Sequence, residues 1–281
     1  MKNNSNTLDM QENAKKHLIQ PWPYATSIGN DYHEFVSNGD GIYIEDIKGN
    51  KLIDGPSGMW CSNIGHRNEE LAKVMYNQAM DLSYNSPWYT SNEPSAKLSK
   101  IISDYAPGDL NHVFFTTGGS TAVESALRFI HYYNNVKGRS EKKLILCRED
   151  GYHGSTYLSA SLNGKSRTSD WMNYEQRNII KLSSPKSYRK LKNKSIQEFE
   201  DDLISEFDDT ISKYKPENIA AFIGEPIQAS GGVIVPPKNY FKRIREICKK
   251  NDILFIADEV VTGFGRLGYI FSSQKIFGVV P

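Results

Sequence analysis

The order of apolar and polar residues divides this chain into segments of different period. Gly41-Ile-Tyr-Ile-Glu-Asp-Ile-Lys-Gly-Asn-Lys-Leu-Ile-Asp54 reads as a hairpin of two short strands about Lys48-Gly-Asn50. From Pro56 onward, short apolar runs alternate with stretches of helical period. Strands are expected at His112–Thr116, Lys143–Cys147, Asn178–Leu182, Ile219–Gly224 and Ile253–Asp258. Helices are expected at Glu69–Met80, Ser120–Asn134, Ser195–Tyr214 and Asn239–Asn251. In the third of these helices Phe199, Leu203, Phe207 and Ile211 recur at helical spacing and predict one core-facing stripe. Strand-helix alternation predicts an α/β fold: a mostly parallel sheet with helices on both faces. Ile253–Ala257 is apolar at every position, as befits a strand buried on both sides. Ahead of the hairpin, residues 1 to about 20 run into a short helix, and Pro21-Trp-Pro23 breaks it.

Composition narrows the classes. The 281 residues are 38% hydrophobic and 24% charged, with a formal charge of +1. That balance can bury a core and gives no reason to expect nucleic acid or a membrane as partner. Three widely spaced cysteines, Cys61, Cys147 and Cys248, match no metal-binding spacing and are expected to be reduced thiols in a cytoplasmic protein. The N-terminus lacks the apolar core of a secretory signal, and no apolar run is long enough to cross a bilayer.

Five stretches carry candidate chemistry. Phe114-Phe-Thr-Thr-Gly-Gly-Ser-Thr-Ala-Val-Glu-Ser-Ala-Leu-Arg128 runs through a Gly-Gly-Ser turn into a helix. Free amides at a helix N-terminus bind anions, glycine admits close approach, and Ser120 and Thr121 add hydroxyls. A plain turn with Ser120 as N-cap fits the same residues. Gly151-Tyr-His-Gly-Ser-Thr156 offers an aromatic ring for stacking and a histidine for orientation, or is a structural turn. Ile219-Ala-Ala-Phe-Ile-Gly-Glu-Pro-Ile-Gln228 ends a buried strand on Glu225, which lines a site or pairs structurally. Ile253-Leu-Phe-Ile-Ala-Asp-Glu-Val-Val-Thr-Gly-Phe-Gly-Arg-Leu-Gly268 delivers Asp258 to a strand's carboxyl end, where open α/β sheets bind ligands. A buried carboxylate there needs a cation or strong donors. Alternation places Asp258 and Val260 on one face and Glu259 on the other. Gly263-Phe-Gly-Arg-Leu-Gly268 also satisfies G-x-G-x-x-G, but no convincing helix opens at Gly265, so a nicotinamide site is not favoured. The fifth stretch is Gly55-Pro-Ser-Gly-Met-Trp-Cys-Ser-Asn-Ile-Gly-His-Arg67, with Trp60 as a packing residue or a pocket wall.

Taken together, from about Ala14 to Pro281, these stretches resemble class III (ω-type) pyridoxal-phosphate aminotransferases in order and spacing. The resemblance implies fold type I, with residues 1–55 an N-terminal arm and hairpin belonging to the small domain and 56–281 the large cofactor-binding domain. It implies pyridoxal 5'-phosphate as cofactor. Gly119, Ser120 and Thr121 would hold the phosphate, with Glu124 at the acidic position that follows. Tyr152 would cover the ring, with His153 beside it and Val260 on the opposite face. Asp258 would meet the ring nitrogen, Glu225 would line the site, and Trp60 with Tyr152 would bound the substrate. Thr121 in place of the commoner acidic residue resembles enzymes that pair pyruvate with ω-amines. The implied reaction moves an amino group from an ω-amine or amino acid to a keto acid such as pyruvate, in a homodimer when complete. The cofactor-bearing lysine is expected beyond Pro281. This chain is therefore expected to contain no catalytic residue, to be incomplete at its C-terminus with a gap in the sheet, and to be an inactive fragment. The alternative is a non-catalytic truncated paralogue that pairs with a full-length aminotransferase.

Overall fold

The computed structural model describes residues 4–21, 28–30, 34–164, 172–186, 191 and 194–281, with 4–8 by backbone alone. The chain forms two compact units, Met1–Asn85 and Ser86–Pro281. This division by contacts differs from the 55/56 boundary that the resemblance implies.

The first unit begins with α1 (Asn4–His17), which ends before Pro21; Trp22 and Pro23 of the expected break lie outside the described residues. The expected hairpin is present as β2 (Tyr43–Asp46) and β3 (Lys51–Ile53), paired antiparallel. Its turn is tied by Asp46, whose Oδ1 accepts from the amides of Lys48 and Asn50, each at 2.8 Å. A third strand, β1 (Val36–Asp40), pairs with β2 across a register shift. Its polar sequence, Val-Ser-Asn-Gly-Asp, hides it from any reading by hydrophobic pattern. Helix α2 (Glu69–Asp81) follows, capped by Asn68, whose side chain accepts from Leu71 N–H.

The second unit opens with α3 (Glu93–Tyr105) and α4 (Gly119–Val136). Then come β4 (Leu144–Arg148), α5 (Tyr157–Ser161), β5 (Ile179–Leu182), α6 (Ile196–Tyr214), β6 (Ile219–Gly224), α7 (Tyr240–Lys250), β7 (Leu254–Ala257) and α8 (Ser272–Phe277). The four strands form a parallel sheet in the order β5-β4-β6-β7. Alternation sends Leu146, Phe222 and Phe255 into one core with α6 and α7. Ile145, Cys147, Ala221 and Ile223 enter a second core with α4. The stripe predicted on α6 is buried throughout: Phe199, Leu203, Phe207 and Ile211 all face the first core, and Phe207 meets Phe222 edge-on at 5.5 Å. Helices therefore cover both faces, as expected.

Below the sheet, Lys142 is buried and its ammonium donates to the carbonyls of Pro216, Ile219 and Asp252 at 3.2, 3.3 and 2.6 Å. One cation thus gathers the starts of β4, β6 and β7, and burial pulls its pKa down. The thiols of Cys147 and Cys248 sit inside the two cores, and burial pushes each up to about 12. Cys61 is exposed, and all three are free.

One expected strand is absent. His112–Thr116 carries no regular secondary structure and joins no ladder among the described residues, and Phe114 is 64% exposed. An apolar run becomes a strand only beside a partner edge, and the outer edge of β7 carries no ladder partner among the described residues. A cleft of about 590 Å³ lies along that edge, lined by Pro107, Leu110, Phe255 and Phe271 among others. Among the described residues no helix is long and apolar enough to cross a membrane.

Candidate functional site

Strand β4 lies between β5 and β6, so the chain leaves it first to one side and then to the other. A crevice opens outside the carboxyl ends of the strands at such a switch point. Three of the candidate stretches end there: the loop after β4 with Tyr152 and His153, Glu225 just past β6, and Asp258 just past β7.

These residues are bonded to one another. His153 Nδ1 lies 2.7 Å from Asp258 Oδ2, with side chains 1% and 4% exposed. A carboxylate offers only acceptors, so Nδ1 carries the hydrogen. The other Asp258 oxygen accepts from Val260 N–H at 3.1 Å. Glu225 holds the preceding loop: Oε1 accepts from Tyr152 N–H at 2.9 Å and Oε2 from Ala229 N–H at 3.2 Å. Burial pushes the Glu225 carboxyl above the usual carboxylate range. His153 and the Tyr152 amide pull it back, while Asp258 adds to the rise.

The N-terminus of α4 reaches the same crevice. Gly119 approaches so closely that a Cβ there would lie 3.3 Å from both Val260 methyl groups. No side chain caps the first turn of α4. Ser120 Oγ accepts from Ser155 N–H at 3.0 Å, which ties the helix to the loop after β4. Glu124, one turn on, collects Thr156 Oγ1 at 2.7 Å, Leu158 N–H at 2.9 Å and Ser159 N–H at 3.3 Å. Its role is thus to anchor the start of α5, an anion at a helix N-terminus. Gly154 is wedged between these groups at φ 141°, where a Cβ would stand 2.4 Å from Ser159 Oγ and 2.6 Å from Ser120 Oγ.

The remaining candidates each have their own surroundings. Thr121 Oγ1 donates to Gly118 C=O at 2.8 Å, so its hydrogen is spent within its own turn. Strand β7 ends at Ala257, so Asp258, Glu259 and Val260 lie beyond the alternation that was expected to sort them, and Glu259 has partners of its own. It accepts from Ser272 N–H at 2.6 Å and Ser273 N–H at 2.9 Å, which caps α8. The G-x-G-x-x-G stretch folds back on itself, with Phe264 N–H donating to Ile270 C=O at 2.7 Å and Gly265 N–H to Tyr269 C=O at 3.0 Å. It does not open a helix, consistent with setting the nicotinamide reading aside. Trp60 belongs to the first unit, half-buried in a left-handed turn at φ 67°.

Two further residues support the site without having been singled out in the sequence. Arg148, buried at the end of β4, has its guanidinium 4.8 Å from the Phe241 ring centre and donates from Nη2 to Glu225 C=O. Asn163 accepts from His153 N–H at 2.6 Å and donates to Gly154 C=O at 2.8 Å. The Asn-Gly pair at 163–164 is a turn signal in the sequence, but nothing local names its partners.

Comparisons with known proteins bear on this arrangement. The sequence profile of the family Aminotransferase class-III matches residues 25–281. A putrescine–pyruvate aminotransferase of Pseudomonas aeruginosa is 39% identical over 279 residues, 99% of this chain and 61% of the relative. A mitochondrial gamma-aminobutyrate transaminase 1 of Oryza sativa subsp. indica is 40% identical over 255 residues, 89% of this chain and 49% of the relative. Among solved structures, a thermostable (S)-enantioselective omega-transaminase from Thermomicrobium roseum superposes with a TM-score of 0.93 at 33% identity, covering 98% of this chain and 61% of that one. An omega-transaminase of Pseudomonas jessenii in complex with PMP gives 0.91 at 36% identity, covering 95% of this chain and 59% of that one. The chain therefore spans between 49% and 61% of the length of these proteins.

Proposed function

This chain belongs to the class III aminotransferases, and on that premise we propose that it binds pyridoxal phosphate in the crevice at the carboxyl ends of β4, β6 and β7. The whole protein would transfer an amino group from an ω-amine or amino acid to a keto acid such as pyruvate. The observation that carries the reading is the buried His153–Asp258 pair, held beside the uncapped N-terminus of α4 by the contact of Gly119 with Val260.

The donor set fits the cofactor. Gly119 and Ser120 present amides and a hydroxyl suited to a phosphate. Asp258 presents a carboxylate suited to a protonated ring nitrogen, and the bare Cα of Gly119 keeps clear a space that a side chain would fill. Pyridoxal phosphate, when bound, supplies an electron-accepting ring for the carbon that bears the amino group. Asp258 would hold a proton on the ring nitrogen. His153 Nδ1–H and Val260 N–H keep that carboxylate in place. Tyr152, its amide fixed by Glu225, would lie over the ring and exclude water from one side. Thr121 would act through the turn geometry rather than as a direct donor. No lysine of residues 1–281 is assigned the role of moving the proton.

Putrescine and γ-aminobutyrate, named for the relatives, are the donors we propose to try first, with pyruvate as acceptor. Exposed aromatic side chains in the second unit, Trp88, Tyr89, Phe129 and Tyr132, support a homodimer. Three free thiols support a reducing cytoplasm. The test is a titration with pyridoxal phosphate followed by absorbance. Saturable binding weakened about tenfold or more by Asp258→Asn and by Ser120→Ala is expected, since each removes a polar contact. Failure of the chain to bind the cofactor, or equal binding by all three proteins, overturns the reading.

A further inference from the structure

We propose that Asn163 is a positioning residue that sets the His153–Asp258 pair. The inference rests on the reading of the crevice given above.

Asn163 follows α5 and is buried, 4% exposed. Its carboxamide grips two neighbouring main-chain groups of the loop after β4. Oδ1 accepts from His153 N–H at 2.6 Å, and Nδ2 donates to Gly154 C=O at 2.8 Å. Its own carbonyl accepts from the ammonium of Lys181 on β5. The next residue extends the grip: Gly164 N–H donates to Gly151 C=O at 2.9 Å, and a Cβ on Gly164 would stand 2.2 Å from Asp150 N. Residues 163–164 thus lie flush against 150–154.

Only a side chain with both a donor and an acceptor on one planar group can make the two carboxamide bonds. Aspartate would keep the bond to His153 N–H but would leave Gly154 C=O without its donor. It would also set a third carboxylate near Asp258 and Glu225. Serine is too short to span both groups. The backbone of His153 decides where the ring can reach, and that backbone is fixed on its amide side by Asn163 and on its carboxyl side through Gly154. Releasing the grip frees the loop to rotate, so Nδ1 loses its fixed approach to Asp258 Oδ2. In the proposed enzyme Asn163 therefore acts through His153 on the carboxylate that meets the ring nitrogen. It touches neither cofactor nor substrate.

The test is proton NMR of the protein labelled with ¹⁵N-histidine, without cofactor, in the parent and in Asn163→Ala, Asn163→Asp and Lys181→Met. His153→Ala assigns the signal. The parent is expected to show a downfield Nδ1–H resonance from His153 that exchanges slowly with water. In Asn163→Ala its exchange rises at least tenfold. Asn163→Asp falls between parent and Asn163→Ala. Lys181→Met, which spares the carboxamide, leaves the resonance in place. Should Asn163→Ala not fold, an Asn163→Asp protein that folds with parental exchange overturns the proposal. An unchanged resonance in a folded Asn163→Ala protein overturns it as well. A cofactor titration on the same proteins separates the two claims. About tenfold weaker binding in Asn163→Ala is expected. If no protein binds cofactor but exchange rises as stated, the clamp stands and the proposed function falls.

Discussion

Replacing Asp258 by asparagine keeps the shape of the side chain and removes its charge. The retained Oδ1 can still accept from Val260 N–H, so the turn after β7 survives. What is lost is the 2.7 Å bond from His153 Nδ1, made where the two side chains are 1% and 4% exposed. A hydrogen bond to a charged group contributes about 1.5–3 kcal/mol. Outright breakage of a buried ion pair costs about 3–5 kcal/mol, but here a polar amide remains opposite the imidazole. Asp258 also raises the pKa of Glu225 by like-charge repulsion, and its neutralisation returns part of the loss. The expected destabilisation is therefore about 1–2.5 kcal/mol. Urea unfolding of the cofactor-free chain measures it. A double-mutant cycle with His153→Ala isolates the pair, with an expected coupling of about 1–2 kcal/mol. A coupling below about 0.3 kcal/mol would mean the two groups do not support each other, within the additivity of distant sites. The argument for a prepared acidic pole in the crevice would then fail.

Other perturbations test other parts of the molecule. Gly154→Ala should destabilise by about 2–4 kcal/mol, from left-handed strain together with a Cβ forced 2.4 Å from Ser159 Oγ, and urea unfolding would read it. Lys142→Met should cost about 1–3 kcal/mol because it removes the donor shared by three carbonyls at the start of the sheet, the one on Ile219 buried; equal stability would show that the ammonium clamp contributes nothing. Stability should fall with alkaline pH. The thiols of Cys147 and Cys248 have folded values raised from 9.0 to about 12, so their contribution is whole below pH 9 and is lost as pH rises toward 12. Each loses about 1.4 kcal/mol per pH unit in that window, and the Cys147→Ala/Cys248→Ala protein should show a flatter profile.

The runs that became β4, β6 and β7 were legible because burial on both faces leaves no polar position to confuse the period. His112–Thr116 carries the same signal and forms no ladder among the described residues, since pairing depends on a neighbouring edge that a local pattern does not specify. Helices α5 and α8 are five and six residues long and are anchored by Glu124 and Glu259 from elsewhere in the chain. Too short for a period, they escaped notice. In the crevice, Tyr152, His153, Glu225 and Asp258 stood out as polar residues directly after apolar strands or within the loop that follows one. That His153 meets Asp258, and that Glu225 holds Tyr152 N–H, are tertiary facts across 105 and 73 residues of chain. Asn163 and Arg148 escaped for the same reason: their chemistry is ordinary and their partners are distant.

The two sealed sulfurs have a use beyond packing. One lies in the strand that leads into the crevice and the other on α7, at opposite faces of the sheet. A maleimide reagent reaches either only when its core opens, whereas Cys61 reacts at once. The lag before each buried sulfur is tagged is a stopwatch for breathing on its own side of the sheet. Slower tagging of Cys147 than of Cys248 in the presence of a ligand would report, without any turnover, which layer that ligand grips.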